Sequence, residues 1–211
     1  MIRHHPSGET LLRLAAGTLA PGLAVVAAAH LEGCPQCRAE TRRLEALGGA
    51  ILEDLPPEPL DEDAFNQVLA RLDDPAPDRA PRKPRQTRNP LPEGLRLPAA
   101  LRGADIGNWF QVGLGIRYCR VSLPWAPQQR LMMFRVKGGR RVISHTHGGA
   151  EFTQVLAGGF TDTTGHYTAG DLAEADETLE HRPVADAEGC ICLAALEGGL
   201  RLPWLARLRR S

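Results

Sequence analysis

The chain has no surplus of charge of either sign: 25 Lys and Arg are balanced by 25 Asp and Glu among 211 residues. No global positive field therefore draws it onto DNA or an anionic membrane, and direct nucleic-acid binding starts disfavoured. No stretch approaches the roughly eighteen uninterrupted apolar residues of a membrane span. The N-terminus places His4 and His5 and then Gly8, Glu9 and Thr10 where a leader needs a charged start and a continuous apolar run, so a cytoplasmic protein without membrane contact is expected. Cysteine is scarce, with five in all. In a reducing compartment these cannot form a disulfide scaffold, and the close spacing of Cys34 and Cys37 points to metal or redox chemistry. No longer-period repeat is present.

What is there divides into two textures. Residues 7–18 open on a Ser7 cap and continue with strong helix formers, and residues 21–31 repeat the pattern with Pro21 in the first turn. In residues 35–55, Leu44, Leu47, Ile51 and Leu52 recur at helical spacing among Arg and Glu, and in residues 61–72, Phe65, Val68, Leu69 and Leu72 form one stripe behind the Pro56-Pro57 break. Four helices are expected. Residues 73–98 are dense in proline and charge and read as a linker. Their basic run, residues 79–88, could touch phosphates, but it is broken by proline and lacks aromatic neighbours, so it reads as a solvated spacer rather than a DNA-binding element. Beyond it, residues 112–123, 129–136, 142–156 and 190–196 are short β-rich runs separated by glycine turns such as Gly138-Gly139, Gly158-Gly159 and Gly170-Asp171. The second half reads as an all-β barrel or sandwich.

His30, Cys34 and Cys37 form H-x3-C-x2-C at the junction of the second and third helices. A histidine near one helix end can converge with a Cys-Pro-Gln-Cys turn opening the next, giving one nitrogen and two sulfurs for a tetrahedral zinc. The fourth ligand comes from outside the motif; His4, His5 and Glu9 are nearby, with His5 preferred because it could pin the first helix against the others. The plain alternative is two buried thiols and an unrelated histidine. A thioredoxin-like pair is disfavoured because no βαβ pattern surrounds it. This segment resembles the zinc-binding anti-sigma domain over roughly residues 1–75. The resemblance implies zinc held by His5, His30, Cys34 and Cys37, and a short helical bundle with a movable fourth helix that clamps an extracytoplasmic-function sigma factor. The apolar stripe on residues 61–72 then becomes a candidate partner surface.

In the second half, residues 139–158 have the spacing G-x5-H-x-H-x3-E-x6-G. His145 and His147, two apart, project to one face of a strand, and Glu151 can bring an oxygen to the same point after a bend at Gly148-Gly149. A second segment, residues 170–185, supplies His181. The two segments resemble the paired motifs of the cupin fold, the second departing from the usual Pro, Gly and Asn at Asp176, Thr178 and Ala185. Three histidines and a carboxylate suit a divalent metal, with Zn favoured and Fe or Mn also compatible. An enzyme would further need an acid or base beside the metal. Tyr167, Glu174 and His166 are neighbours by sequence, but each is read as a solvated loop residue.

The order of the parts is similar to that of the ChrR-type cupin anti-sigma factors, over nearly the whole chain. The fold class expected is multidomain α + β: a helical zinc-binding bundle (residues 1–75), a Pro/Arg-rich linker (76–98) and a C-terminal jelly-roll cupin barrel (99–211). The resemblance implies a non-enzymatic regulator. It sequesters a sigma factor and releases it when the cupin responds to an oxidative signal, in some members singlet oxygen. The competing reading is a metal-dependent cupin oxygenase with a regulatory helical module. Cys190 and Cys192 lie on one strand face; a direct bridge between them would distort the strand, and small buried hydrophobes are the simpler reading. Cys119 is read in the same way.

Overall fold

The computed structural model describes residues 1–74, 91–92 and 94–201; the basic run at 79–88 and most of the 76–98 linker lie outside the described residues. The four expected helices are present. α1 (Gly8–Ala15) starts where expected because the Ser7 hydroxyl accepts the Thr10 N–H at 3.2 Å. α2 (Pro21–Gly33) has Pro21 in its first turn, and α3 (Pro35–Glu53) is capped by the Cys34 sulfur, 3.5 Å from the Cys37 N–H. α4 (Ala64–Ala70) is shorter than the apolar stripe that announced it, and none of its residues is buried. Among the described residues, no helix is long and apolar enough to cross a membrane.

After a 3-10 turn at Ala99–Leu101 the described residues form ten strands: β1 (Asp105–Ile106), β2 (Phe110–Gly113), β3 (Ile116–Ser122), β4 (Arg130–Val136), β5 (Thr146–His147), β6 (Glu151–Thr161), β7 (His166–Thr168), β8 (Leu172–Ala175), β9 (Val184–Leu196) and β10 (Leu200–Arg201). All pairings are antiparallel. The large sheet runs β1-β3-β4-β9-β6-β7, with β2 beside β3 and β8 beside β6, and β5 pairs with β10 separately. The run at 142–156 is therefore split: β5 ends at His147, the chain bends through Gly148-Gly149, and β6 begins at Glu151.

Strand alternation gives the sheet two apolar faces. On one, Leu131 and Met133 of β4 pair with Ala195 and Leu193 of β9; on the other, Phe134 and Val136 pair with Cys192 and Cys190 and look into the barrel. The outer face is covered by α2. Leu19, Leu23, Val26 and Ala27 share one core with Val121, Leu131, Met133, Phe152 and Leu193. This explains why α2 is apolar all round: one side faces α1 and α3, the other the sheet. The end of the linker joins this core, because Leu91 and Leu97 pack against it. Glu32 at the end of α2 accepts the N–H groups of Ala99 and Ala100 at 2.8 and 2.7 Å, fixing the start of the β half against the helix.

Two candidate metal centres

The first group of metal-binding side chains forms where α2 meets α3. His30 ends the buried stretch of α2, Cys34 sits in the junction, Cys37 follows in the first turn of α3, and His5 arrives on the extended segment before α1. One ligand atom from each lies within 4.8 Å of the others. His5 Nδ1 is 3.4 Å from Cys34 Sγ and 3.3 Å from Cys37 Sγ. His30 is fully buried and its Nδ1 donates to the Gly170 carbonyl at 2.9 Å, while its Nε2 has no hydrogen-bond partner. An orphaned ring nitrogen beside two thiols is costly unless a cation takes its lone pair. Burial holds the His30 imidazole below its ordinary pKa, and burial, together with Cys34 alongside, pushes the Cys37 thiol up to about 12. The set fits a divalent metal of zinc type, which would take the thiols as thiolates and tie α1, α2 and α3 together.

The second group lies in the barrel. His145, His147, Glu151 and His181 are all buried, and one ligand atom from each lies within 4.8 Å of the rest. Every ring is held from behind: His145 Nδ1 is 2.8 Å from the Ile143 carbonyl, His147 Nδ1 is 3.3 Å from the Asp176 carbonyl, and His181 Nδ1 is 2.9 Å from Asp162 Oδ2. Carbonyls and carboxylates only accept, so each Nδ1 carries a proton and each Nε2 is the atom left to offer a lone pair to a cation at the centre. There, His145 and His181 Nε2 stand 3.0 Å apart, and His147 Nε2 lies 2.7 Å from Glu151 Oε2 without a well-aligned hydrogen bond. Burial lowers the His145 pKa. For Glu151 burial works against the charge, but contact with His147 wins and holds the carboxyl low; the same contact overcomes burial to raise His147, so a proton between the two occupies the place that a cation would take. Four converging lone pairs with fixed ring orientations fit a divalent cation.

The departures from the second cupin motif are accommodated locally. The Asp176 carboxylate accepts the Thr178 N–H at 2.8 Å and its hydroxyl at 2.6 Å, building the turn by side-chain capping where proline and glycine would have built it by backbone restriction. Ala185 is buried on β9 opposite Phe160.

Of the neighbours read as solvated loop residues, Tyr167 and Glu174 are corrections: Glu174 is half-buried on β8 and lines the barrel cavity, while Tyr167 is enclosed. It is buried in β7, packed between Phe160 and His4, with its hydroxyl 2.8 Å from Thr164 Oγ1. With only three residues, β7 is too short to show a strand period in the sequence. His166 is on the same strand, exposed and 2.8 Å from Asp186, and Glu174 on β8 accepts the Ser7 N–H at 3.0 Å. His4 lies against Tyr167, the rings tilted by 36° with centroids 4.2 Å apart, and stays out of the helical cluster, and Glu9 is an exposed first-turn residue of α1. Cys190 and Cys192 both line a cavity of about 120 Å³ in the barrel, walled mainly by apolar chains such as Phe134, Val142 and Leu179 and reaching His145, Glu151 and His181. Residues that sequence reasoning passed over include Asp162 behind His181, and Gly170 and Asp171, which were read only as a turn.

A helical cluster of two histidines and two cysteines, docked by a shared core onto a cupin barrel with its own three histidines and a carboxylate, defines a two-centre cupin protein. Residues 102–198 match the family model of the ChrR cupin-like domain. The chain is 39% identical over 201 residues to the anti-sigma-E factor ChrR of Cereibacter sphaeroides, covering 95% of this chain and 92% of that protein. It is similar to a chain of the crystal structure of Rhodobacter sphaeroides SigE in complex with the anti-sigma ChrR, with a TM-score of 0.72 and 35% identity, covering 93% of this chain and 100% of that one. The chain belongs to the ChrR-type cupin anti-sigma factors.

Proposed function

We propose that this protein sequesters an extracytoplasmic-function sigma factor in the cytoplasm through its helical half and releases it when the cupin responds to a signal. The observation that carries this reading is the apolar surface left open on the last two helices. Leu47, Ile51 and Leu52 of α3 and Phe65, Val68 and Leu69 of α4 are all exposed, Phe65 to 72%. So many large apolar side chains on neighbouring elements mark a surface that a protein partner covers. The relative named above is an anti-sigma factor, and the similar solved chain is bound to SigE.

In this reading zinc at His5, His30, Cys34 and Cys37 is structural, holding the bundle from which α3 and α4 project. A divalent metal at His145, His147, Glu151 and His181, zinc in the first instance, orders the barrel. The signal is oxidative: the apolar cavity brings the Cys190 and Cys192 thiols into the same space as the metal-binding side chains, where a small oxidant could reach both. The role is regulatory rather than catalytic. In support, the three carboxylates around the cavity already have partners, Asp162 with His181, Glu151 with His147 and Glu174 with the Ser7 N–H.

The test is affinity purification of the tagged full-length chain from its native cytosol, with bound proteins identified by mass spectrometry and zinc counted. One small sigma factor at equal stoichiometry is the expected result. Cys34→Ser should abolish the capture, whereas His145→Ala should preserve it and alter release on oxidant treatment. Equal loss of capture from both variants, or no sigma factor on the unmodified chain, would overturn the reading.

A further inference from the structure

The helical cluster is held from behind by the cupin half. His30 belongs to α2, yet its Nδ1 donates to the carbonyl of Gly170 in the β7–β8 turn, 140 residues further along. Gly170 has φ +98, and a Cβ there would lie 2.7 Å from Ile2 Cγ1, so the N-terminal segment is closed down on this turn. Ile2 in its turn packs against the cluster of Leu11, Cys34 and Cys37.

Asp171 is fully buried and binds the N-terminal segment directly. One carboxylate oxygen accepts the N–H groups of Arg3 and His4 at 2.6 and 3.0 Å, and the other accepts the Thr168 N–H and hydroxyl at 2.8 and 3.0 Å. The Leu172 N–H then donates to the His4 carbonyl at 3.2 Å. His5 is the next residue. The turn is clamped from the other side by β6: Gln154 Nε2 donates to the Gly170 carbonyl at 3.0 Å, the Gly170 N–H to the Val155 carbonyl at 2.9 Å, and the Val155 N–H to the Asp171 carbonyl at 3.0 Å. Gln154 is three residues from Glu151 on the same strand.

We infer that the β7–β8 turn is part of the metal-holding apparatus of the helical half, with Gly170 and Asp171 as positioning residues for His30 and His5. The inference rests on reading His5, His30, Cys34 and Cys37 as a zinc centre. Two of its four side chains owe their placement to the cupin: His30 through the back of its ring, His5 through the backbone that precedes it. Groups that orient a ligand from behind typically change metal affinity by about ten- to a hundred-fold when removed. Zinc retention in the helical half is thus set by the strand that carries Glu151, and by linkage zinc in the helical half stabilises the docked turn.

The test is zinc transfer from the full-length, zinc-loaded protein to excess 4-(2-pyridylazo)resorcinol, followed by absorbance. The zinc pool missing from Cys34→Ser identifies the helical centre. Asp171→Asn, which turns an N–H toward buried N–H donors, is expected to speed release of that pool by about ten-fold or more while leaving the remaining zinc at its original rate. Gln154→Leu removes only the side-chain clamp on Gly170 and keeps the backbone pairing, so it decides the matter if Asp171→Asn does not fold; a several-fold acceleration of the same pool is expected. Unchanged release in folded variants would overturn the inference. Zinc that does not depend on Cys34 at all would overturn the zinc reading itself and the inference with it.

Discussion

At the scale of single residues, the groups behind the ligands decide as much as the ligands. Asp162 holds the His181 ring from behind through Nδ1, and its charge is favoured although burial opposes it, because His181 and Thr164 supply hydrogen bonds. Asp162→Asn should lower metal affinity at the barrel site by about ten- to a hundred-fold with the fold intact, measured by competition with a chelator of known affinity. Asp171 gives a pH prediction. Burial opposes its charge, yet the N–H groups of His4, Thr168 and Arg3 hold the carboxyl below the ordinary range. A carboxyl depressed on folding contributes its stability in full above its unfolded value of about 3.9 and loses it as pH falls through the folded value. The stability gap between the unmodified chain and Asp171→Asn should therefore be steady from about pH 8 to about pH 5 and shrink below about pH 4, as read by urea melts in the presence of chelator. A gap unchanged in acid would mean that the charge of Asp171 is not what its four donors hold.

At the scale of elements, local chemistry was legible and long-range docking was not. Ser7, Pro21 and the Cys-Pro-Gln-Cys turn mark helix starts by capping and by proline geometry, and α1, α2 and α3 begin there. The H-x-H-x3-E spacing likewise brings its three side chains together across the β5–β6 bend, because strand alternation is a local rule. No local rule says that α2 belongs to the core of the sheet, or that Asp171 receives Arg3 and His4. Those contacts depend on the path of the whole chain, and the three-residue strand β7 is too short to show a period. The shared core has a consequence. Leu23, 1% exposed, lies among side chains from both halves, so Leu23→Ala should cost about 2–5 kcal/mol. It should do so in one transition, with the fluorescence of Trp109, packed against the same core, and the helical circular dichroism falling together. Two separated transitions would show that the halves unfold independently.

For the whole molecule, the barrel and the exposed apolar side chains of α3 and α4 lie on different elements, so a link between them must pass through the packing of the helices. α3 and α4 bury little: among the residues of α3 only Cys37 and Thr41 are buried, and in α4 none is. Their hold on the rest of the protein therefore runs through the first half of α3, where Cys37 and Thr41 are buried and Leu44 packs on the cluster of Leu11, Cys34 and Cys37, and through the metal-binding side chains there, which the β7–β8 turn braces. A signal that loosens β6 and this turn would weaken His30 and His5 first, and the α3–α4 surface would lose its fixed base without any contact of its own being broken. The surface and the brace should then separate experimentally. Phe65→Ser on α4 removes a large exposed side chain and should weaken sigma binding at least about ten-fold, within the usual range for an aromatic anchor, while leaving thermal stability unchanged. Asp171→Asn should leave the surface chemically intact yet weaken binding in step with zinc loss, so that added zinc restores it. Titration of the purified sigma factor against both variants, with and without zinc, distinguishes the two, since the defect of Phe65→Ser should not respond to the metal.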